Sequence, residues 1–189
     1  AVGTVMGIAT AFSSVLNTLF KPFLTAVKTT PVVSFIILAL IWLSKIEVPI
    51  FITFLMVLPV VWANVTSSIL NTDKSLIEMA NAYNFGFAKK LKLIFLPSAV
   101  PSFVSACKTA VGLGWKAGIA AEVLCTPQNS IGINLRNSQV YIETVDLFAW
   151  TVVIIILSLI LEKLLVAILD LCFKKIMSKG GYFIENTDK

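Results

Sequence analysis

Three charged side chains interrupt one long apolar segment, 96–124, of this 189-residue sequence: Lys108, Lys116 and Glu122. A charge inside an apolar helix is costly in a membrane and usually serves a function. Lys108 and Glu122 share a helical face to within about 40°, whereas Lys116 faces elsewhere. A lysine here could attract an anion, or it could extend toward the membrane surface or form an ion pair between helices. We favour those structural roles for Lys108 and leave both open for Lys116.

Other catalytic chemistry is poorly represented in the sequence. The absence of histidine removes the commonest general base and the commonest metal ligand. Cys107, Cys125 and Cys172 are too far apart to predict a disulfide framework or a zinc site. The phosphate-binding motif Gly-x-x-x-x-Gly-Lys-Ser/Thr does not occur. We therefore expect no enzyme activity, no metal and no cofactor bound by this chain.

Small residues recur at intervals of four on two apolar segments, Gly3 and Gly7 on the first, and Ala110, Gly114 and Gly118 on another. Such faces allow helices to pack closely in lipid. They could serve packing within one subunit, an interface between two subunits, or the lining of a pathway. Trp115, which lies among them, could act as a gate or simply pack.

The elements that position these residues are predicted from composition. The chain is 58% hydrophobic and 13% charged, against about 25% charged in soluble domains. Residues 1–20, 29–44 and 48–72 carry no charge. A run of about 20 apolar residues spans a bilayer, and it must be helical because lipid cannot satisfy backbone polar groups. A soluble globule of this length could not bury so many apolar runs, so we predict an all-α membrane protein.

We predict five transmembrane segments in a single domain, residues 1–173, at about 1–20, 31–43, 48–70, 96–124 and 145–173. The second segment is short, so we expect it to borrow length from residues 21–30 or to be shielded by its neighbours. Residues 174–189 are predicted to be a cytoplasmic tail. The sequence opens inside an apolar segment without an initiator Met or a basic signal-peptide region. We therefore expect that an N-terminal piece is missing or was removed.

The distribution of lysines predicts the orientation. The loops and tail on one side carry ten lysines, and those on the other side carry only Lys45 and Arg136. The ten are Lys21, Lys28, Lys74, Lys89, Lys90, Lys92, Lys174, Lys175, Lys179 and Lys189. Because positive charge accumulates on the cytoplasmic side, we predict an N-terminus outside and a C-terminus inside.

The lysine-rich loop between the third and fourth segments predicts a short amphipathic helix. Ser75 followed by Glu78 is typical of a capping box that starts a helix. The residues Leu76, Ile77, Ala80 and Tyr83 then fall on one helical face. The helix is predicted to end near Asn84 and Gly86, since Asn and Gly most readily enter the left-handed region.

Two hypotheses account for this helix. It could lie on the lipid surface, which suits Lys89, Lys90 and Lys92. Alternatively, it could be a docking helix for a soluble partner, held by the cap and anchored through Pro97 to the fourth segment. Glu78 could act as the cap, as a partner contact, or as both.

The spacing in this loop resembles the signature of ABC importer permeases: Glu-Ala-Ala, three residues, Gly, nine residues, Ile, one residue, Leu-Pro. The matching positions are Glu78, Met79, Ala80, Asn84, Ile94, Leu96 and Pro97. Met79 replaces the first Ala and Asn84 replaces the Gly, and Gly86 could take over part of the turn. The resemblance implies a cytoplasmic coupling helix in the loop 73–95. The residues that would couple to an ATPase are Ser75, Glu78, Met79, Ala80, Tyr83, Asn84, Gly86, Ile94, Leu96 and Pro97.

The wider sequence, from Gly3 to Cys172, is similar to the nitrate/sulfonate/taurine type of these permeases. The similarity includes Leu24–Pro31, Pro97–Pro101, and Gly114-Trp115-Lys116 followed by Ala120-Ala121-Glu122. It implies a type I permease core in the bacterial inner membrane. The residues that could line the pathway or an interface are Lys108, Gly114, Trp115, Lys116, Gly118 and Glu122.

The resemblance also implies partners and a class of solute. The partners would be a second permease subunit, as a homodimer, two ATPase subunits that use ATP and Mg, an external substrate-binding protein and membrane lipid, with no nucleic acid. The solute would be a sulfonate, a nitrate-like anion or a vitamin precursor. A secondary transporter is the alternative class, but repeated halves with broken helices are not evident in the sequence.

Overall fold

The computed structural model describes residues 1–179, with side chains up to residue 169 and at residue 171. These residues form nine α-helices and one π-helical turn, without a strand among them, so the predicted all-α class is confirmed. The helices are α1 (Val2–Phe12), α2 (Ser14–Thr29), α3 (Val32–Trp42), α4 (Glu47–Leu70), α5 (Lys74–Ala82), α6 (Phe87–Lys90), α7 (Leu96–Cys125), α8 (Ile131–Val140) and α9 (Thr144–Lys179), and the π turn is Leu91–Phe95. The predicted tail lies outside the described residues from residue 180 onward.

Three stretches within residues 1–179 are helical, long and apolar enough to cross a membrane: Glu47–Leu70, Phe87–Cys125 and Thr144–Leu169. The pair α2 and α3 makes a fourth if it is counted as one bent span. Helix α1 is apolar but has only 11 residues, a length of about 16 Å. The five-segment topology therefore stays a prediction.

The N-terminal region is more broken than its apolar composition suggests. The segment 1–20 is interrupted at Ser13, whose extended backbone ends α1 and whose Oγ accepts a hydrogen bond from the Leu16 amide at 3.4 Å. Helices α2 and α3 meet at an angle of 103°. Pro31 explains this bend, because a residue before proline avoids the helical region and Thr30 is extended. Helix α3 therefore does not borrow length in line from residues 21–30.

The centre of the fold is the contact between α4 and α7. One buried cluster joins α3, α4 and the C-terminal end of α7, and a second joins α4 and the N-terminal end of α7, with α1 packed against it. The first contains Ile36, Ala39, Val48, Ile52, Ala117, Ala121 and Cys125, and the second contains Val65, Ile69 and Ala99. Helix α7 is thus held by α4 along most of its 30 residues, a length of about 45 Å.

Helix α1 is fastened to α4 by close approach and by a buried polar network. A Cβ at Gly7 would lie 2.8 Å from the Cβ of Val65, so only glycine fits there. The Trp62 indole donates to Thr10 Oγ1 at 2.9 Å, and Thr10 Oγ1 lies 3.0 Å from Thr66 Oγ1. Buried hydroxyl and indole groups are satisfied in this way without water. The Gly3/Gly7 face therefore packs within the chain.

Candidate functional site

The helix α5 in the 73–97 loop begins two residues earlier than the capping-box prediction requires. Asp73 is the N-cap, and its Oδ1 accepts a hydrogen bond from the Ser75 amide at 2.9 Å. This bond, together with one from the Ser75 side chain, holds the pKa of the Asp73 carboxyl below its ordinary value. The assignment of Ser75 as the cap is wrong, since an aspartate that can bind the same free amides precedes it.

The end of α5 is a Schellman motif built on Asn84. The Phe85 amide donates to the Ala80 carbonyl at 2.9 Å, and the Asn84 amide donates to the Asn81 carbonyl at 3.0 Å. Asn84 has φ 52°, which confirms the predicted left-handed helix end. Gly86 has φ −63° and ψ 159° and starts α6, so it takes no part in the left-handed turn.

The exposed face of α5 differs from the predicted one. Ala80 is fully buried, although the spacing predicts one helical face made of Leu76, Ile77, Ala80 and Tyr83, and Ala80 is among the predicted coupling residues. The apolar side chains that protrude are Leu76, Met79 and Tyr83, with 39%, 47% and 72% of their surface exposed. Their spacing of three and four residues places them on one side of the helix. Met79, at the position where the family signature has Ala, is therefore a central residue of the outward surface.

Two lysines of the loop fold back onto it. The Lys90 ammonium donates to Asn81 Oδ1, and the Lys89 ammonium lies 4.0 Å from the centre of the Phe85 ring. Lys90 therefore braces α6 against α5, and Lys89 ties α6 to the short segment between the two helices. This arrangement weakens the lipid-surface hypothesis, which relied on these lysines together with Lys92.

The loop joins α7 through the π turn Leu91–Phe95. The Leu96 amide donates to the Leu91 carbonyl, five residues earlier. Pro97 accounts for the wider turn, because proline has no N–H and its ring displaces the carbonyl four residues before it. Phe12 of α1 packs edge-on against Phe95 at 5.1 Å, and π turns are frequent at functional positions. Ile94 is buried beneath this junction, and Leu96 is exposed.

The glycines predicted to line a pathway or an interface pack against α4. A Cβ at Gly114 would lie 2.9 Å from Val57 Cγ2, and one at Gly118 would lie 2.9 Å from Thr53 Oγ1. Thr53 also donates to the Gly114 carbonyl at 3.3 Å. The Gly114/Gly118 face therefore serves packing within this chain.

Another face of α7 is only partly covered by the rest of the described chain, with Ser105, Thr109 and Lys116 exposed. Its residues fall within about 40° of one line along the helix. All are small or polar, and one of them, a lysine, is charged. They are Ser98, Ser102, Ser105, Thr109, Gly112 and Lys116, hereafter the open face. Lys116 is exposed, and a Cβ at Gly112 would meet nothing within 4 Å among the described residues. Near the loop, the open face meets a polar groove shared with Asn64 and Ser67 of α4.

Two other candidates on α7 point toward α9. Lys108 is exposed in a cleft that also contains Glu162 and Lys163. Trp115 lines an apolar cavity with leucines of α9, and its buried Nε1 has no hydrogen-bond acceptor among the described residues. Neither residue shares a surface with Lys116. The residues predicted to line a pathway or an interface therefore lie at separate locations.

Glu122 lies at the far end of α7, against α8. Its Oε2 accepts a hydrogen bond from the Gly132 amide at 2.9 Å. Arg136 Nη1 donates to the Val123 carbonyl at 3.3 Å. The contacts of Gly132 and Arg136 are not predicted by the sequence, although Ser130 before the apolar Ile131 is a recognisable helix-start signal. Nothing in the spacing showed that Glu122 would reach the same helix end.

Comparison with known proteins places these features in one family. The family described as "binding-protein-dependent transport system inner membrane component" matches residues 3–175. The matched range covers the 73–97 loop, the open face and the contact between α7 and α8.

Three curated proteins illustrate the similarity. A probable ABC transporter permease protein of Brucella melitensis is 25% identical over 174 residues, covering 87% of this chain and 70% of that protein. A putative aliphatic sulfonates transport permease protein of Escherichia coli is 31% identical over 138 residues, covering 72% of this chain and 51% of that protein. The taurine transport system permease protein of Escherichia coli is 24% identical over 164 residues, covering 85% and 58%.

Proposed function

Because this chain belongs to the family of binding-protein-dependent transport system inner membrane components, we propose that it forms, with a second copy of itself, the path by which a small anion is imported. The chain is an ABC transporter permease and a multi-pass protein of the inner membrane. The finer assignments below concern the orientation, the partners and the solute.

The 73–97 loop is the contact for a separate ATPase subunit in this proposal. The observation that carries it is the outward apolar side of α5, formed by Leu76, Met79 and Tyr83 on a helix that is capped at both ends. An exposed apolar patch on a rigid helix is typical of a protein-docking surface. The lysines of this loop support a cytoplasmic location. With five transmembrane segments, as we propose, the N-terminus then lies outside. ATP and Mg would be used only by the partner.

The open face of α7 is the proposed lining of the pathway. A lysine is unfavourable against lipid, so in this proposal the open face lies against water or another subunit. Neutral hydroxyl groups and a single cation are suited to a small oxyanion. Two of the similar proteins are named for aliphatic sulfonates and taurine, and we propose a sulfonate as the solute. An external binding protein would deliver it.

The docking assignment is tested by Met79→Asp in the chain expressed with its ATPase. A carboxylate buried in an apolar contact costs several kcal/mol, so we expect the ATPase to be lost on purification and uptake to fall by at least about tenfold. Lys74→Asp is the control, because Lys74 is exposed on the same helix but about 140° away from Met79. If Met79→Asp retains both the ATPase and full uptake, α5 is not the docking helix.

A further inference from the structure

Helix α7 connects two distant parts of the fold. Its N-terminal end continues from the 73–97 loop through the π turn, and its C-terminal end meets α8. The helix is continuous over 30 residues, with Pro101 inside its second turn, and it packs against α4. One continuous helix therefore connects the 73–97 loop with α8.

The contact at the C-terminal end satisfies the start of α8. The first amides of a helix have no partner within the helix. Ser130 Oγ accepts from the Ile133 amide at 3.2 Å, and Glu122 Oε2 accepts from the Gly132 amide at 2.9 Å. A carboxylate at a helix N-terminus is also favoured by the helix dipole. The Glu122 carboxylate of α7 thus supplies a hydrogen-bond acceptor that the first turn of α8 lacks.

The contact is also sterically close. A Cβ at Gly132 would lie 2.3 Å from the Cβ of Glu122 and 2.8 Å from the backbone nitrogen of Val123. The backbones of α7 and α8 therefore touch directly at this point. One helical turn later, Arg136 holds the Val123 carbonyl, and residues four apart share a helix face. Two polar ties and one glycine contact join the same sides of the two helices.

We propose that this contact, the Glu122–Gly132 clasp, makes α8 move with α7, so that a movement begun at the 73–97 loop reaches the opposite side of the molecule. Glu122 is then a positioning residue for transport and does not contact the solute. This inference rests on the proposed function, because it assumes that the movement begins where an ATPase binds the 73–97 loop. Helix α8 also packs against α9, so the clasp determines whether α8 follows α7 or stays with α9.

The clasp itself is tested on the purified chain by hydrogen exchange of the first turn of α8. A hydrogen bond to a charged group contributes enough that Glu122→Ala should speed exchange of the Gly132 amide by about tenfold or more. Glu122→Gln keeps an acceptor oxygen and should stay within about threefold of the parent chain. Asn137→Ala, at an exposed position of α8, is the control. Unchanged exchange in Glu122→Ala would overturn the clasp.

The coupling role is tested in the assembled transporter with its ATPase and binding protein. We expect Glu122→Ala to hydrolyse ATP at a rate close to the parent complex while transporting about tenfold less solute per ATP, and we expect Glu122→Gln to restore the ratio. A general loss of stability would instead lower both rates together. An unchanged ratio in Glu122→Ala, or a Glu122→Gln complex as defective as Glu122→Ala, refutes the inference. If the parent complex transports nothing, the proposed function fails, and the exchange experiment still decides the clasp.

Discussion

The two ends of α7 are attached in opposite ways. At the N-terminal end, the helix continues through a π turn into α5, whose apolar side chains point outward. At the C-terminal end, Glu122 and Val123 are bonded to α8, and Gly132 allows the two backbones to touch. One end therefore offers surface to another molecule, and the other end has its contacts filled by its own chain. A substitution at the N-terminal end should alter association with the partner. A substitution at the C-terminal end should also alter the free energy of unfolding of this chain.

The largest effect is expected from Gly132→Ala at the closed end. Its new Cβ would lie 2.3 Å from the Cβ of Glu122, and such overpacking lowers the free energy of unfolding by about 1–3 kcal/mol. Gly112→Ala is the matched control on the open face, where a Cβ meets nothing within 4 Å, and alanine should stabilise that helix by about 0.5–1 kcal/mol. Thermal unfolding in detergent followed by circular dichroism measures both. Equal melting temperatures for the two variants would contradict the comparison.

The two lysines of α7 lie on different faces of the helix, and their replacement tests which face serves transport. Lys116→Gln removes the cation of the open face, and we expect anion uptake to fall by about tenfold, equivalent to about 1.4 kcal/mol. Lys108→Gln removes an exposed cation beside Glu162 and Lys163 of α9 and should change uptake by less than about twofold. Uptake of a radiolabelled sulfonate into proteoliposomes gives both values. A larger loss for Lys108→Gln would move the pathway to the α9 side.

The C-terminal ends of α5 and α8, which lie near opposite ends of α7, should differ less in their effect on stability. Helices α5 and α8 both end in Schellman motifs, with Asn84 at φ 52° in one and Ile142 at φ 59° in the other. A branched side chain in this region costs about 1–2 kcal/mol, and Ile142 is 84% exposed, so Ile142→Gly loses little packing. We expect Ile142→Gly to stabilise the chain by about 1 kcal/mol and Asn84→Gly by only a few tenths. Melting temperatures that rise equally would show that the Asn84 turn is as strained as that of Ile142.

The smallest effect concerns acid and the start of α5. The pKa of Asp73 is lowered by its bonds to Ser75, so the ionised carboxylate stabilises the folded loop above its ordinary pKa. That contribution is lost as the pH falls below about 4 and through the lowered value. Amide exchange in residues 74–77 should therefore accelerate on acidification relative to Asp73→Asn, whose amide cap does not titrate. Identical pH profiles of amide exchange in the parent chain and in Asp73→Asn would contradict the assignment of Asp73 as the N-cap.

Local sequence signals predicted the helical class and the left-handed end of α5 correctly. The lengths of apolar runs are read directly from the order of the residues, and Asn84 acts through its own backbone preference. The start of α5 was misplaced, because two capping residues stand two positions apart and local spacing does not choose between them. The partner-facing side was misjudged at Ala80, because periodicity identifies a face of the helix but not the direction in which the loop turns it.

Composition and a spaced motif are enough to identify this chain as a helical membrane protein of the ABC permease family, since both are properties of the chain alone. Which face of α7 is covered depends instead on the packing of the helices. Gly114 and Gly118 meet α4, Glu122 meets α8, and Lys116 is exposed. These outcomes depend on the bend at Pro31, the π turn before Pro97 and the close approach at Gly132, which place helices far apart in sequence side by side.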